Sequence, residues 1–551
     1  MKVADFGDLT KAEAGLIAHL QGGGAWDFEA SEGVPPKDAP ADLHIRASLI
    51  RALILKKIED CALPERGLRI RGAYILGDGD TRGENRGLDL EGASIDCDLA
   101  LLSCRFANKI LLRNAQIKNL FLNGSALDNA LSADGLTVKG NVLLRKVEAA
   151  GEIRLLGATI GGDLGCIGAK LIGTGDALLA DRLDIKGSVF LREVEAAGGI
   201  LLVGAMIGGN LECEAVKLNA TGRPLIADGA TIAGAFFWRD GALSKGAIDL
   251  TAATIGTIND APACWPDELV LDRCRYGAFT GFGVSGRERI DWLSRMKPKK
   301  YGYDFWPQPY EECARALREA GHGSDAREVL IEKERLQRKA WRAVLQRQLD
   351  AARAGRDAGD AGKGFRPEND KVVSAWLRLW WARFVDWLLE WSVAFGRRPG
   401  RAAIWLLLAL GLGAMIFARA AGFGEIKPNL PQIQRAPEWV ACAENPDLTG
   451  LPEAARGPYT SRARPGEDQL ICFLRQPEAA SYPRFNALVY SADTLLPVIA
   501  MEMQSYWIPD DSKPIGRWAR LYLWLHIAAG WGLTLLAVAG FSGLIKTDNT
   551  K

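Results

Sequence analysis

The feature that most constrains this chain is an internal duplication. Residues 130–176 read ALSADGLTVKGNVLLRKVEAAGEIRLLGATIGGDLGCIGAKLIGTGD, and residues 177–223 read ALLADRLDIKGSVFLREVEAAGGILLVGAMIGGNLECEAVKLNATGR, an offset of 47. A fixed period of this size marks a repeat architecture, in which each unit buries its apolar face against its neighbours. Within the period, apolar or small residues come in i, i+2 pairs: Leu136/Val138, Val142/Leu144, Val147/Ala149, Ile153/Leu155, Ala158/Ile160, Leu164/Cys166 and Ala169/Leu171. Such a pair is a short strand with one inward face. A helical period does not generate this spacing. Four pairs occupy about 22 residues, one four-sided coil, so 47 residues make two coils and a small bulge near Gly173–Asp176. The reading is a parallel four-sided β-helix over 67–286, quasi-one-dimensional and stiff.

Nothing in the array looks catalytic. Its inward positions are Leu, Ile, Val and Ala with an occasional Cys, and Cys166 and Cys213 occupy equivalent repeat positions, as core filler does. One G-x-G-x-x-G string, Gly281 to Gly286, closes an all-β array rather than opening a βαβ unit, so it reads as a terminal loop. The four His (His19, His44, His322, His526) are scattered, which argues against a metal centre, and no cofactor motif occurs. With 68 Lys+Arg against 67 Asp+Glu, the chain lacks the basic excess of a nucleic-acid binder.

Around the array, residues 1–66 are expected to form a helical N-terminal cap, with helices at 10–21 and 41–62 covering the exposed sheet edge. Residues 287–350 are a helical connector, with a hairpin broken at Gly321–Gly323. Tyr310, Cys313, Ala314, Leu317 and Ala320 share one face of its first helix. Residues 351–370, rich in Gly, Ala and Asp, read as a flexible linker. Residues 371–397 carry Trp376, Trp380, Trp381, Trp387 and Trp391 among charges, the pattern of an interfacial helix.

Two stretches are apolar enough to span a bilayer. Ala402–Ala418 holds 17 residues without a charge and Leu521–Ile545 holds 25 with a single His. They define transmembrane helices over 398–421 and 516–546. Arg397, Arg398 and Arg401 before the first and Lys546 after the second place both termini in the cytoplasm, although Arg419, Arg517 and Arg520 flank the opposite ends. No signal peptide is visible in residues 1–20. The 422–482 loop is then external, where Cys442 and Cys472 are a plausible disulfide pair. Gly530, Gly532, Gly540 and Gly543 suit close helix packing.

Residues 483–515 contain PRFNALVYSADTLLPVIA, a short helix ending in Thr, then an extended stretch. Between two spans, this resembles the pore module of tetrameric potassium-channel-like proteins, whose pore helix and filter run like F-x-A-L-Y-F-S-x-x-T-x-T-T-V-G-Y-G-D. Phe485, Ala487, Leu488, Tyr490, Ser491 and Thr494 fit the helix part. The filter part departs: the chain has Thr494, Leu495, Leu496, Pro497 and Val498, without the Gly that stacked carbonyls need. The chain as a whole resembles a bacterial family of two-span inner-membrane proteins with cytoplasmic pentapeptide-like repeats, through strings at 180–214, 307–327 and 485–498. That resemblance implies a multidomain membrane protein: a four-sided pentapeptide-like β-helix in the cytoplasm, a helical hairpin connector, and two transmembrane helices with a re-entrant pore-like loop. The expected function is a homotetrameric, non-potassium-selective pore gated by the β-helix. Asp493 and Glu502 are the charged candidates at its mouth, or else a hydrogen-bonded helix end and a solvated loop residue. The alternative is a membrane-anchored scaffold whose β-helix binds a cytoplasmic protein or small-molecule ligand. Members of such families sometimes carry an oxidoreductase label, for which no residue here speaks.

Overall fold

The computed structural model describes residues 1–22, 27–77, 86–173, 175–281, 283–359, 368–398, 400–443 and 463–541. The chain divides into two compact units, Met1–Ala340 and Trp341–Lys551.

The first unit is a parallel β-solenoid of about nine coils. One coil supplies four short strands, Thr137–Val138, Val142–Leu143, Glu148–Ala149 and Ile153–Arg154, each paired in parallel with the next coil. Val138 pairs with Ile160 and Ile160 with Ile185, so the offset alternates between 22 and 25. The longer step crosses the irregularity at Asp176/Leu178, beside the bulge expected near Gly173–Asp176. The i, i+2 residues face inward: Leu136, Val142, Leu144, Val147 and Leu155 are wholly buried. Corners are held by a side-chain ladder. Asn119 Oδ1 accepts from the Asn141 N–H (2.7 Å), Asn141 Oδ1 from Asp163 (2.8 Å), and Asp163 Oδ1 from Ser188 (2.8 Å). The Ser188 hydroxyl then accepts from the Asn210 N–H (3.0 Å) and Asn210 Oδ1 from Ala235 (2.9 Å). Each coil thereby satisfies a corner N–H of the next, which the strands leave unpaired.

Both ends of the solenoid are covered. Helix α1 (Lys11–Gln21) begins with a capping box of Thr10 and Glu13. The helix expected over 41–62 is only α2, Ala47–Ile54. His44–Arg46 is instead a strand on Tyr74–Leu76, and Asp27–Glu29 pairs with Arg69–Arg71, so the amino-terminal region extends the sheets before its helices close them. Satisfying an exposed sheet edge outweighs helix propensity there. Arg46 is pinned by Glu13, whose carboxylate is fully buried at 2.8 Å.

At the other end the last strand is Arg275–Gly281. The G-x-G string turns the chain out of the sheet, with φ of +97° at Gly281 and +72° at Gly283, and Ser285 caps α3 (Gly286–Ser294). Arg289 of α3 is completely buried against Asp260 (2.7 and 2.9 Å) and lies 3.7 Å over the Phe279 ring. Trp265 Nε1 donates to the same carboxylate (2.8 Å). The hairpin follows as α4 (Gln308–Glu319) and α5 (Gly323–Gly359). Tyr310, Cys313, Ala314 and Leu317 are buried as expected, whereas Ala320 is an exposed C-cap. The linker expected over 351–370 is helical through Gly359. Its Ala and Arg residues are good helix formers, which outweighs the isolated glycines. Residues 360–367 of that linker lie outside the described residues.

In the second unit, α6 (Glu368–Val393) packs Leu379 and Ala382 on Leu345 and Leu349, and Arg342 bonds the buried Asp386 at 2.6 Å. Next come α7 (Gly400–Gly422), α8 (Pro431–Gln434), α9 (Pro437–Val440), α10 (Gln469–Arg475), α11 (Ala487–Leu495), α12 (Met503–Tyr506) and α13 (Pro514–Phe541). Helices α7 and α13 are long and apolar enough to cross a membrane. The second of them begins seven residues ahead of the charge-free stretch, because Pro514 is favourable at a helix start and Arg517 and Arg520 are good helix formers. Ile426–Pro428 pairs antiparallel with Trp507–Pro509, tying the end of α7 to the start of α13.

Candidate functional site

The site is built around α11. Asn486 caps it, its Oδ1 accepting from Leu488 (3.0 Å) and Val489 (3.1 Å). The helix is wedged between α7 and α13, and small residues make room. A Cβ at Gly413 of α7 would stand 2.6 Å from the His526 ring, and one at Gly530 of α13 would overlap the carbonyl oxygen of Leu495. Gly532 faces open space, and Gly543 lies outside the described residues.

The polar atoms of α11 are turned onto its neighbours. Ser491 Oγ donates to the Leu410 carbonyl (2.9 Å) and lies 3.2 Å from His526 Nε2. Tyr522 Oη lies 3.1 Å from His526 Nδ1. His526 Nε2 also lies 3.2 Å from the Ser491 carbonyl oxygen, so with the serine proton directed to Leu410 both Ser491 oxygens are placed to accept from Nε2–H. This chain links all three helices where water is excluded: Ser491 is wholly buried and His526 is 2 % exposed. Thr494 Oγ1 donates back to the Tyr490 carbonyl (2.8 Å). Phe417 meets the Tyr490 ring edge-on at 4.8 Å, and the Phe485 ring lies 5.4 Å from that of Tyr490.

Asp493 closes the segment after the helix. Its carboxylate accepts from the Met501 N–H (2.6 Å) and the Gln504 N–H (2.8 Å), so residues 494–504 return as a tight loop. Leu495 is buried, Leu496 and Pro497 are half-buried, and Val498 is 85 % exposed, followed by exposed Ile499, Ala500 and Met501. Glu502 is exposed in the left-handed region (φ +61°) at the head of α12. The structure therefore brings Phe485, Tyr490, Ser491, Asp493 and Thr494 together around one helix. Val498 and Glu502 stand apart on the tip.

The candidate cysteines are joined: Cys442 and Cys472 form a disulfide with Cα atoms 5.7 Å apart, beside Trp439 and Phe473. The solenoid cysteines are different in kind. Burial pushes the thiols of Cys104 and Cys166 up to about 12, so both are inert core groups. Among the described residues no cluster of three His, Cys, Asp or Glu is placed to hold a metal.

Sequence reasoning found α11 but not its Asn486 cap, the Ser491–His526–Tyr522 chain or the role of Gly413. The Tyr522/His526 spacing of four, which puts both on one helix face, was the available signal. Comparison with protein-family models, with curated proteins and with solved structures gives no match.

Proposed function

We propose that the second unit is an oligomeric pore module in a bacterial inner membrane, with the β-solenoid as its cytoplasmic sensor. The placement of α11 carries this reading. A capped short helix wedged between two apolar helices, with a returning loop after it, is the element order of the two-span pore modules that the sequence resembles. In this reading α7 and α13 are the membrane spans, 496–502 is a re-entrant tip, both termini are cytoplasmic, and four copies surround the axis. Arg397, Arg398 and Arg401 then lie on the cytoplasmic side, and the disulfide lies in the oxidising compartment.

Potassium selectivity is not part of it. Pro497 cannot take its place in a stack of glycine-hinged carbonyls, and the exposed tip (Val498, Ile499, Ala500, Met501) is apolar. An apolar ring gates by dewetting. The same apolar tip favours a second reading, a membrane-tethered scaffold whose solenoid recruits a partner. Ion flux through vesicles containing the full chain separates them. A pore with a dewetted ring leaks faster when Val498→Ser wets it. No flux from either protein, together with a monomeric particle in detergent, leaves the tether.

A further inference from the structure

We infer that the elbow between α6 and α7 is a binding site for one anionic phospholipid. The inference rests on reading α7 as a membrane span, but not on conduction. A groove of about 300 Å³ runs between α6, α7 and α13, walled by Trp387, Trp391, Trp405, Leu408, Leu412 and Leu533. Its one side-chain hydroxyl, that of Ser392, is already satisfied, donating to the Leu388 carbonyl at 2.6 Å. The groove is therefore chemically uniform and suits an acyl chain.

The groove is built before any ligand arrives. Trp391 and Trp405 stack with centroids 4.2 Å apart, and Trp405 Nε1 donates to the Trp391 carbonyl (3.3 Å). Between the helices, Ala394, Phe395 and Gly396 all take positive φ (47°, 55° and 78°). Two of the three carry side chains, so packing must hold them in this uncommon region. Ala394 and Phe395 are correspondingly buried.

Charge decides the occupant. Arg401 lies four residues before Trp405, and Trp405, Leu408 and Leu412 continue the same stripe of α7, so an exposed guanidinium stands one turn above the groove mouth. Exposed Arg398, which already has an interaction within the chain, is a second cation at the elbow. Two cations at the end of an apolar slot complement a phosphate at the end of an acyl chain. An aromatic face continues the same surface along α6, where Trp380 stacks on Phe384 and Trp387 on Trp391. Such rings favour the headgroup level.

The test adds equal amounts of dioleoylphosphatidylglycerol and dioleoylphosphatidylcholine to the purified full chain in mild detergent and counts bound lipid by native mass spectrometry. The wild type is expected to retain one phosphatidylglycerol with a preference of about tenfold. Arg398→Gln with Arg401→Gln removes that preference, and the two Lys substitutions restore it. Ala409→Phe, which fills the groove, loses both lipids. Equal retention of the two lipids by the wild type overturns the site, as does a preference that survives the double Gln variant. If Ala409→Phe converts an oligomer to a monomer without changing lipid retention, a second copy occupies the groove and the lipid site is wrong. Release of the chain from membranes by alkaline carbonate would sink the membrane reading itself. An embedded chain without lipid preference sinks only this site.

Discussion

Gly530→Ala puts local propensity and packing in direct opposition. In an isolated helix the change is favourable, by about 1 kcal/mol. In this structure the new methyl would overlap the Leu495 carbonyl oxygen and stand 2.7 Å from its carbon. Ordinary carbon–carbon separations are about 3.5–4.0 Å, so the end of α11 must retreat by about 1 Å. The obstacle is backbone, not the tip of a flexible side chain, so the cost falls toward the upper part of the ~1–3 kcal/mol range for overpacking. The net expectation is destabilisation by about 2 kcal/mol. For a unit of this size that lowers the melting temperature by about 4–8 °C. Twelve of the 17 Trp lie in the second unit, so tryptophan fluorescence during heating reports mainly on it. Gly532→Ala is the internal control. It sits two residues along the same helix with nothing within 4 Å of its added Cβ, and should be neutral or stabilising. If Gly530→Ala melts at or above the wild type, α11 is not wedged against α13 and the site described here does not exist.

Other perturbations probe separate parts of the chain. Asp260→Asn leaves the Arg289 guanidinium buried without its counter-charge and should cost about 3–5 kcal/mol in denaturant unfolding of the solenoid, whereas Asp260→Leu with Arg289→Met should cost less than either single change. Burial opposes ionisation of Glu13, yet the hydrogen bonds from Arg46 prevail and hold its carboxyl below the usual range. That lowered value makes its contribution complete above about pH 4.5 and lost as pH falls through the folded value, so Glu13→Gln should flatten the acid limb of a stability–pH curve. Reducing Cys442–Cys472 reopens a sequence separation of 30, worth about 3–4 kcal/mol on chain entropy, and should lower the fluorescence melting transition of the second unit without moving that of the solenoid.

The solenoid was legible because its signal is redundant. Every coil repeats the same i, i+2 inward pairs, so an error in one pair is corrected by the next. Even the irregularity at Asp176/Leu178, beside the position expected for it, followed from the difference between 47 and twice the coil length. The ends were less legible because there the repeat stops and edge satisfaction takes over. Nothing in the residue pattern of the amino-terminal region distinguishes Ala47–Ile54 as helix from His44–Arg46 as strand until the unpaired edge at Tyr74–Leu76 is known. In the second unit, hydropathy located α7 and α13 but not their partners. Ser491 meets His526 across 35 residues of sequence, and no local period encodes such a contact.

The residues that carry the likeness to a pore helix and those that depart from it have separate jobs. Ser491 and Thr494 direct their hydroxyls at helix carbonyls, and Asp493 directs its carboxylate at two backbone N–H groups of the return loop. All three side chains are buried between the helices and the return loop. The matching positions thus account for how α11 is seated, since a buried polar atom must find a partner wherever the helix is wedged between apolar neighbours. Selectivity, where a pore has it, depends on what faces outward after the helix, and there this chain offers Val498, Ile499, Ala500 and Met501. Likeness at Tyr490 to Thr494 therefore speaks to architecture. The choice between the two proposed readings, a gated hydrophobic ring and a tether, rests on these four apolar side chains.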